Sequence, residues 1–320
     1  MLQSFPNKLC LQLPNEGDYR NSLGAPKGLF PTRLFGRGLS FLNEDVYEFQ
    51  TALFVDRKNI NNTIREASKV YSQAYTSRAK KVPSIPDYPY VDSLYEHLDG
   101  LMNVPIGYNS DNKLPLLYDF QQNAFNIVLT SAMNDDRMGF VYALMRMFQH
   151  NPKTKVRVID FVESYEKDIF GVECFNKDFD MAMVNANNEI IKSKDSDITN
   201  IYFLLGVGEM KKSLSVQGRQ VFENICNNMA NIKNTKFVLV DVLVSFKNVQ
   251  IEPWYQANVD NSYGIWLDKD AAAQIVINAP NVTVEDRKVD FPGVAYAISK
   301  GRHTIIKHMI DEKESDSNEK

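Results

Sequence analysis

The sequence predicts a doubly wound α/β domain, and two observations carry that prediction. From Val104 onward, short runs that are almost continuously apolar alternate with stretches of helical periodicity. The runs are rich in β-branched and aromatic residues and lack the apolar–polar alternation of a half-exposed sheet, so each reads as a strand buried on both faces. Strands of that kind joined through helices make a mostly parallel sheet with helices on both faces. In chain order, "PLLYDF" (115–120) and "NIVLTS" (126–131) read as strands. Residues 137–149 read as a helix with Val141, Leu144, Met145 and Phe148 on one face. Strands "VRVIDFV" (156–162) and "IYFLLGV" (201–207), a helix over 214–231, and strands "KFVLVDVLV" (236–244) and "YGIWL" (263–267) complete the pattern.

The segment before this domain has a different texture. "KLCLQL" (8–13), "GLSFL" (38–42) and "VYEFQTALFV" (46–55) read as strands separated by the turn-rich "PNEGDYRN", "GAPKG" and "FGRG". Fifty-odd residues are too few for a sheet domain of their own. Ile60, Ile64, Ala67, Val70 and Ala74 then recur at helical spacing, opposite a basic side of Arg57, Lys58, Arg65 and Lys69 that continues through Arg78, Lys80 and Lys81. The prolines of "KKVPSIPDYPYV" (80–91) disfavour helix and suit a semi-rigid connector, so a module boundary is expected there. The last ten residues, "DEKESDSNEK", are expected to be a disordered acidic tail.

Composition narrows the function classes. With 320 residues, 44 % apolar and 24 % charged, the chain can bury a real core. A net charge of −4 gives no global basic field, so nucleic acid is not an expected partner. Cys10, Cys174 and Cys226 lie far apart without a C-x-x-C pair, and His97, His150, His303 and His308 are scattered, so no metal site is expected. A reducing compartment fits. No apolar run reaches the length of a membrane span, and the N-terminus lacks a signal-peptide pattern.

The motif that bears on chemistry is "NIVLTSAMNDDRMGF", a buried strand running into a helix through a short polar turn. A phosphate-binding turn in this setting needs G-x-x-x-x-G-K-[ST]: glycines let backbone N–H groups converge on the phosphates, the lysine neutralises them and the hydroxyl holds Mg²⁺. That frame falls on Thr130, Ser131, Ala132, Met133, Asn134, Asp135, Asp136 and Arg137. Thr130 and Asp135 stand at the glycines, Asp136 at the lysine and Arg137 at the Ser/Thr. At ~4 Å and an effective dielectric near ~20, losing an attraction costs roughly 4 kcal/mol before screening, and gaining a repulsion costs as much again. Nucleotide binding in the ordinary mode should therefore be lost or pushed to millimolar.

The second half of such a site is a carboxylate after a hydrophobic strand, which holds Mg²⁺ and the attacking water. After "IYFLL" the chain has Gly206, Val207 and Gly208, with Glu209 three residues on. Both halves fail in the expected context, so the nucleotide site reads as degenerate, and no catalytic residue is assigned.

The ordered series "RGLSFLNEDVYEFQTALF", "VPIGYNSDNKLPLLYDFQQNAFNIVLTS", "VRVIDF", "IYFLLGV", "KFVLVDVLVSFK", "EPWYQANVDNSYGIWL" and "GRHTIIKHM" resembles the C-terminal part of the FtsK/SpoIIIE-type coupling ATPases of type VIIb secretion systems, the EssC family. The resemblance implies a RecA-like P-loop NTPase fold. It makes residues 1–56 the closing strands of a preceding FtsK-type module, 57–104 a helical and Pro-rich connecting segment, 105–310 the last RecA-like module and 311–320 the tail. It further implies cytoplasmic residence as part of a membrane-anchored chain, secreted substrate proteins and neighbouring ATPase modules as partners, and a hexamer in the full-length protein. The family's active modules carry the phosphate-binding loop, and this sequence departs from it. The expected function is a non-catalytic module that recognises exported substrates and regulates its neighbours; the alternative is an ATPase of weak activity. No cofactor is expected with high affinity, which leaves at most weak ATP and Mg²⁺ binding.

Other candidates have ordinary readings beside them. Asp160 and Asp241 sit at carboxyl ends of strands, where α/β sheets collect ligands, but each also suits a polar cap on the following turn. The basic side of the 59–79 helix could grip DNA or an acidic protein, or be a solvated face. Trp254, Tyr255 and Trp266 could form a substrate-binding pocket, or belong to the core, as large aromatics usually do.

Overall fold

A computed structural model describes residues 8–24, 31, 34–42, 45–52, 59–74, 83–165, 169, 171–194 and 196–311. The chain divides into two compact units, Met1–Lys81 and Val82–Lys320, with the division inside the proline-bearing stretch.

The first unit is a three-stranded antiparallel sheet of β1 (Lys8–Leu11), β2 (Arg37–Leu42) and β3 (Asp45–Gln50), with helices α1 (Glu16–Leu23) and α2 (Ile60–Ala74). Tyr19, Leu23 and Leu39 are its fully buried core. α1 occupies a stretch whose composition reads as turn. Asn15 caps it by accepting from the Asp18 amide at 3.0 Å, and Gly24 at φ 80° ends it, so the polar residues are start and stop signals rather than loop. The helix expected from residue 59 is α2. None of its residues is buried, and Arg65 and Lys69 are exposed as expected. Arg57, Lys58, Arg78, Lys80 and Lys81 lie outside the described residues, as do 312–320 of the tail.

The second unit is built on ten strands: β4 (Asn103–Asn109), β5 (Pro115–Asp119), β6 (Phe125–Thr130), β7 (Thr154–Asp160), β8 (Glu173–Phe175), β9 (Thr199–Leu205), β10 (Thr235–Val242), β11 (Gly264–Trp266), β12 (Val294–Ser299) and β13 (Arg302–His308). Their order is β5-β4-β13-β12-β11-β6-β10-β9-β7-β8. The six from β11 to β8 pair in parallel and the four at the other edge antiparallel. The connecting helices are α3 (Asp135–Gln149), α4 (Phe179–Lys192), α5 (Met210–Ser213), α6 (Val216–Asn228), α7 (Leu243–Phe246) and α8 (Pro253–Asn258).

The central parallel strands β6, β9 and β10 are buried on both faces. Along β9, Ile201, Phe203 and Leu205 enter the core that includes α3, while Tyr202 and Leu204 enter the core that includes α4 and α6. Strand "PLLYDF" exists, but β5 is an antiparallel edge strand. β4, β8, β12, β13 and α4 are additions to the sequence reading. The β12–β13 hairpin turns at Lys300 and Gly301, both at positive φ, so a two-residue "KG" between apolar runs was the available signal. α4 likewise shows Met183, Ala186 and Ile190 on one buried face.

Phe203 is fully buried in the centre of the sheet. Phe203→Ala should cost about 3–5 kcal/mol of folding free energy, read from the urea midpoint.

Candidate functional site

The parallel strands place the carboxyl ends of β6, β10, β9 and β7 along one edge, where ligands of open α/β sheets bind. Between β6 and α3 the chain makes the expected strand–turn–helix. β6 ends at Thr130, Asn134 caps the helix by accepting from the Arg137 amide at 3.1 Å, and α3 opens on Asp135 and Asp136.

The turn's polar groups bond to the chain itself. The Thr130 hydroxyl is buried, donating to Ala132 O at 3.0 Å with Leu267 O at 3.4 Å. The Ser131 hydroxyl donates to Asp268 Oδ2, and Arg137 Nη2 pairs with Asp268 Oδ1 at 3.4 Å, both side chains of that ion pair mostly buried. Met133 is half-buried against the α3 core and Ala132 is exposed. One carboxylate just after β11 thus engages both the turn's hydroxyl and its cation.

At the end of β9, Gly206 adopts φ 69°. A side chain there would be strained in that conformation and would collide with Val162. The backbone itself therefore keeps a carboxylate out of this position. Glu209 pairs instead with Lys212 at 2.8 Å on the surface. Asp160 caps its own turn: its carboxylate accepts from the Val162 amide at 3.1 Å, the Ser164 hydroxyl at 3.3 Å and the Tyr165 amide at 2.7 Å.

Asp241 is 4 % exposed at the end of β10, between the ends of β6 and β9. Its Oδ2 accepts from the Gly208 amide at 2.6 Å and its Oδ1 from the Val242 amide at 2.7 Å. Burial pushes its carboxyl up to about 6, the two amides hold it down in part, and Glu209 adds to the rise.

The three aromatics do not form one surface. Tyr255 and Trp266 are 2 % and 1 % exposed in the α6-side core; Tyr255 donates to Asn261 Oδ1 at 2.6 Å and Trp266 Nε1 to Lys269 O at 3.0 Å. Trp254, also in that core, lines an opening as well. Val207, Met210, Phe222 and Val249 form an apolar floor with it, under a rim of Lys211, Arg219, Glu223 and Glu252. Its volume of about 60 Å³ is well below the ~300–1,000 Å³ of small-molecule sites, and suits one or two side chains. Sequence reasoning missed this pocket because Val207, Phe222 and Trp254 come from three separate segments. Among the described residues there is no cluster of metal-ligating side chains, and no helix is long and apolar enough to cross a membrane.

A parallel sheet with its switch point at the β6–α3 turn and helices on both faces defines the fold of RecA-like P-loop ATPase modules. Among solved structures the chain is similar to EssC (ATPases 2 and 3) from Geobacillus thermodenitrificans, with TM-score 0.67, 10 % identity, 97 % of this chain covered and 62 % of that chain. It is also similar to Thermomonospora curvata EccC (ATPases 2 and 3) in complex with a signal sequence peptide, with TM-score 0.54, 14 % identity and coverage of 88 % and 54 %. A third likeness is to the pCW3 conjugation coupling protein TcpA in monomer form with ATPγS, with TM-score 0.52, 12 % identity and coverage of 78 % and 82 %. At these identities the likeness is one of fold, and the chain spans under two thirds of the EssC and EccC structures. No family model and no curated protein matches it.

Two expectations follow. Gly206→Asp should lower stability by at least about 1–3 kcal/mol, the cost of a side chain at this backbone conformation, seen in thermal melts with and without Mg²⁺. For Asp241 the sign runs against the usual acid case. Its folded pKa is raised, so between pH 4 and 6 the unfolded state ionises first and folding stability falls as pH rises. Asp241→Asn should therefore gain up to about 3 kcal/mol at pH 7.5 relative to pH 4, less the hydrogen bonding it loses, read as urea midpoints at the two pH values.

Proposed function

We propose that the chain is a non-catalytic, degenerate ATPase module of a type VII secretion coupling protein, which recognises exported proteins and contacts neighbouring motor modules. The observation that carries the first half is Asp268. A carboxylate held by Ser131 and Arg137 occupies the charge complement that a phosphate would need, and Gly206, at a backbone conformation that side chains rarely adopt, offers no ligand at the metal position. The fold likeness to EssC and EccC, one of them in complex with a signal sequence peptide, supports the second half. In this reading residues 1–56 are the closing strands of a preceding module and the connector ends at Lys81 rather than 104, because Val91, Leu94, Met102 and Val104 belong to the core of the last module. The protein is then the cytoplasmic part of a membrane-anchored chain, and the hexamer would be one of that full-length chain. Nucleic acid is not a partner.

The surface best suited to cargo is the pocket beside Trp254. An amphipathic helical segment would place one apolar side chain on Phe222 and Trp254, with its flanks against the charged rim. Tyr255, edge-on to Trp254, backs the pocket from the core, and Trp266 is buried elsewhere in that core; neither lines the pocket. A second reading, weak ATP binding or turnover, is favoured by the intact strand–turn–helix frame from β6 into α3.

Isothermal titration with Mg-ATP separates the two. No binding tighter than millimolar is expected, and phosphate release should stay far below the ~1 s⁻¹ of ordinary enzymes. Asp136→Lys alone should not restore turnover, because Asp268 and Gly206 remain and such groups act as a unit. For cargo, a fluorescein-labelled amphipathic peptide with leucines at i and i+4 should bind. Trp254→Ala should weaken it about thirtyfold, the equivalent of ~2 kcal/mol, with an unchanged circular dichroism spectrum. Robust hydrolysis, or equal peptide binding by a folded Trp254→Ala, would overturn the respective half.

A further inference from the structure

The 207–211 segment belongs to two neighbourhoods at once. Val207, Gly208, Met210 and Lys211 form one wall of the Trp254 pocket. The same segment leaves the carboxyl end of β9, separated from β6 by β10, and is fastened there by a side chain of β10 that lines no part of the pocket: Asp241 accepts the Gly208 amide at 2.6 Å. Gly208 is also pressed against α7, where a Cβ would come within 2.7 Å of Ser245. Gly206 N donates to Val240 O at 2.9 Å, which ties the start of the turn to the strand bearing Asp241. The wall's position thus depends on β10 and α7 from behind, while its front faces the pocket.

We propose that Asp241 is a positioning residue for the apolar pocket: by clasping the Gly208 amide it holds the 206–209 turn in the place that shapes the pocket wall, and so couples the old nucleotide edge of the sheet to cargo affinity. This rests on the reading of the pocket as a cargo site. The electrostatic surroundings suit a clasp that responds to charge. Glu209, paired with Lys212, is the charged neighbour on the turn; α7 and the end of β6 contribute only Leu243, Val244, Ser245, Phe246, Thr130 and Ser131, none of them titratable. Burial brings the Asp241 carboxyl to about 6. Protonation turns one of its two acceptor oxygens into a donor, so one of the Gly208 and Val242 amides loses its full partner. Loosening of the wall should then set in as the pH falls below 6, just where this group's effect on global stability turns favourable.

The test uses the full chain and the labelled leucine-anchored peptide, with affinities read by fluorescence anisotropy from pH 7.5 to 5. Wild-type affinity should fall by about tenfold over that range, a loss of the size expected for one charge-assisted hydrogen bond. Asp241→Asn, which places an amide donor against one backbone N–H, should bind about tenfold more weakly at pH 7.5 and show a flat profile. Amide exchange of the 206–211 segment should rise in the variant and, for the wild type, at low pH after correction for the intrinsic rate. If the wild type binds and Asp241→Asn matches it with the same pH profile, the positioning role falls while the cargo reading stands. If the wild type binds no peptide, the cargo reading falls and this inference with it. Should Asp241→Asn fail to fold, the wild-type profile decides: a flat one overturns the proposal.

Discussion

The parallel pairing of β6 with β11 is the constraint on which the site depends. All six residues of β6 are buried, so its backbone groups must be satisfied by neighbours rather than water. β10 satisfies one side; β11 satisfies the other and continues past its last residue through Leu267 N to Leu129 O at 2.7 Å. The next residue is Asp268, so the register of the sheet delivers a carboxylate to the mouth of the β6–α3 turn. Once it is there, Ser131 and Arg137 have a partner inside the chain, and a phosphate would have to displace a mostly buried ion pair while meeting the same negative charge. The closure of the turn is thus a consequence of strand pairing as much as of the residues in the turn.

The sequence made the parallel half of the sheet legible for a physical reason. β6, β7, β9 and β10 are buried on both faces, and such strands leave continuous apolar runs. β12 and β13 have the same burial in part, but His303, Lys307 and His308 interrupt the run, and their signal lay in the "KG" turn instead. α1 and α4 were obscured differently. Asn15, Glu16, Gly17 and Asp18 look like loop by composition, whereas capping makes those residue types the start of a helix. The strand–turn–helix frame around residues 130–137 was legible, because it is local. Asp268 was not, since a partner 131 residues beyond Arg137 is set by sheet register.

The aromatics show the opposite limit. Trp254 and Tyr255 are adjacent and Trp266 is close behind, yet a single turn of α8 sends neighbours to different surroundings, and β11 buries Trp266 in the middle of the sheet. Phe222 packs edge-on against Trp254 with centroids 4.9 Å apart, while Tyr255 packs edge-on against Phe246 at 5.6 Å. Adjacent aromatic residues therefore take separate tasks: one faces an opening and the other fixes α7. Proximity in sequence groups side chains by chain position, whereas a pocket groups them by surface.

The backbone at the end of β9 decides what the carboxyl edge can be used for. In a site that binds Mg²⁺, a backbone free of side chains at the end of β9 would leave the metal under-ligated. Here the same feature lets the turn lie flat: Gly206 takes the left-handed conformation against Val162, Gly208 approaches Ser245, and Asp241 receives an amide that a bulkier turn would hold farther away. A flat turn brings Val207 and Met210 down to face Phe222 and Trp254, which makes an apolar wall where α5 begins. The glycines of this turn are therefore the ones that permit the pocket. The bare backbone at the end of β9 and the shape of the neighbouring pocket follow from one backbone geometry, so placing a carboxylate at 206 would act on both.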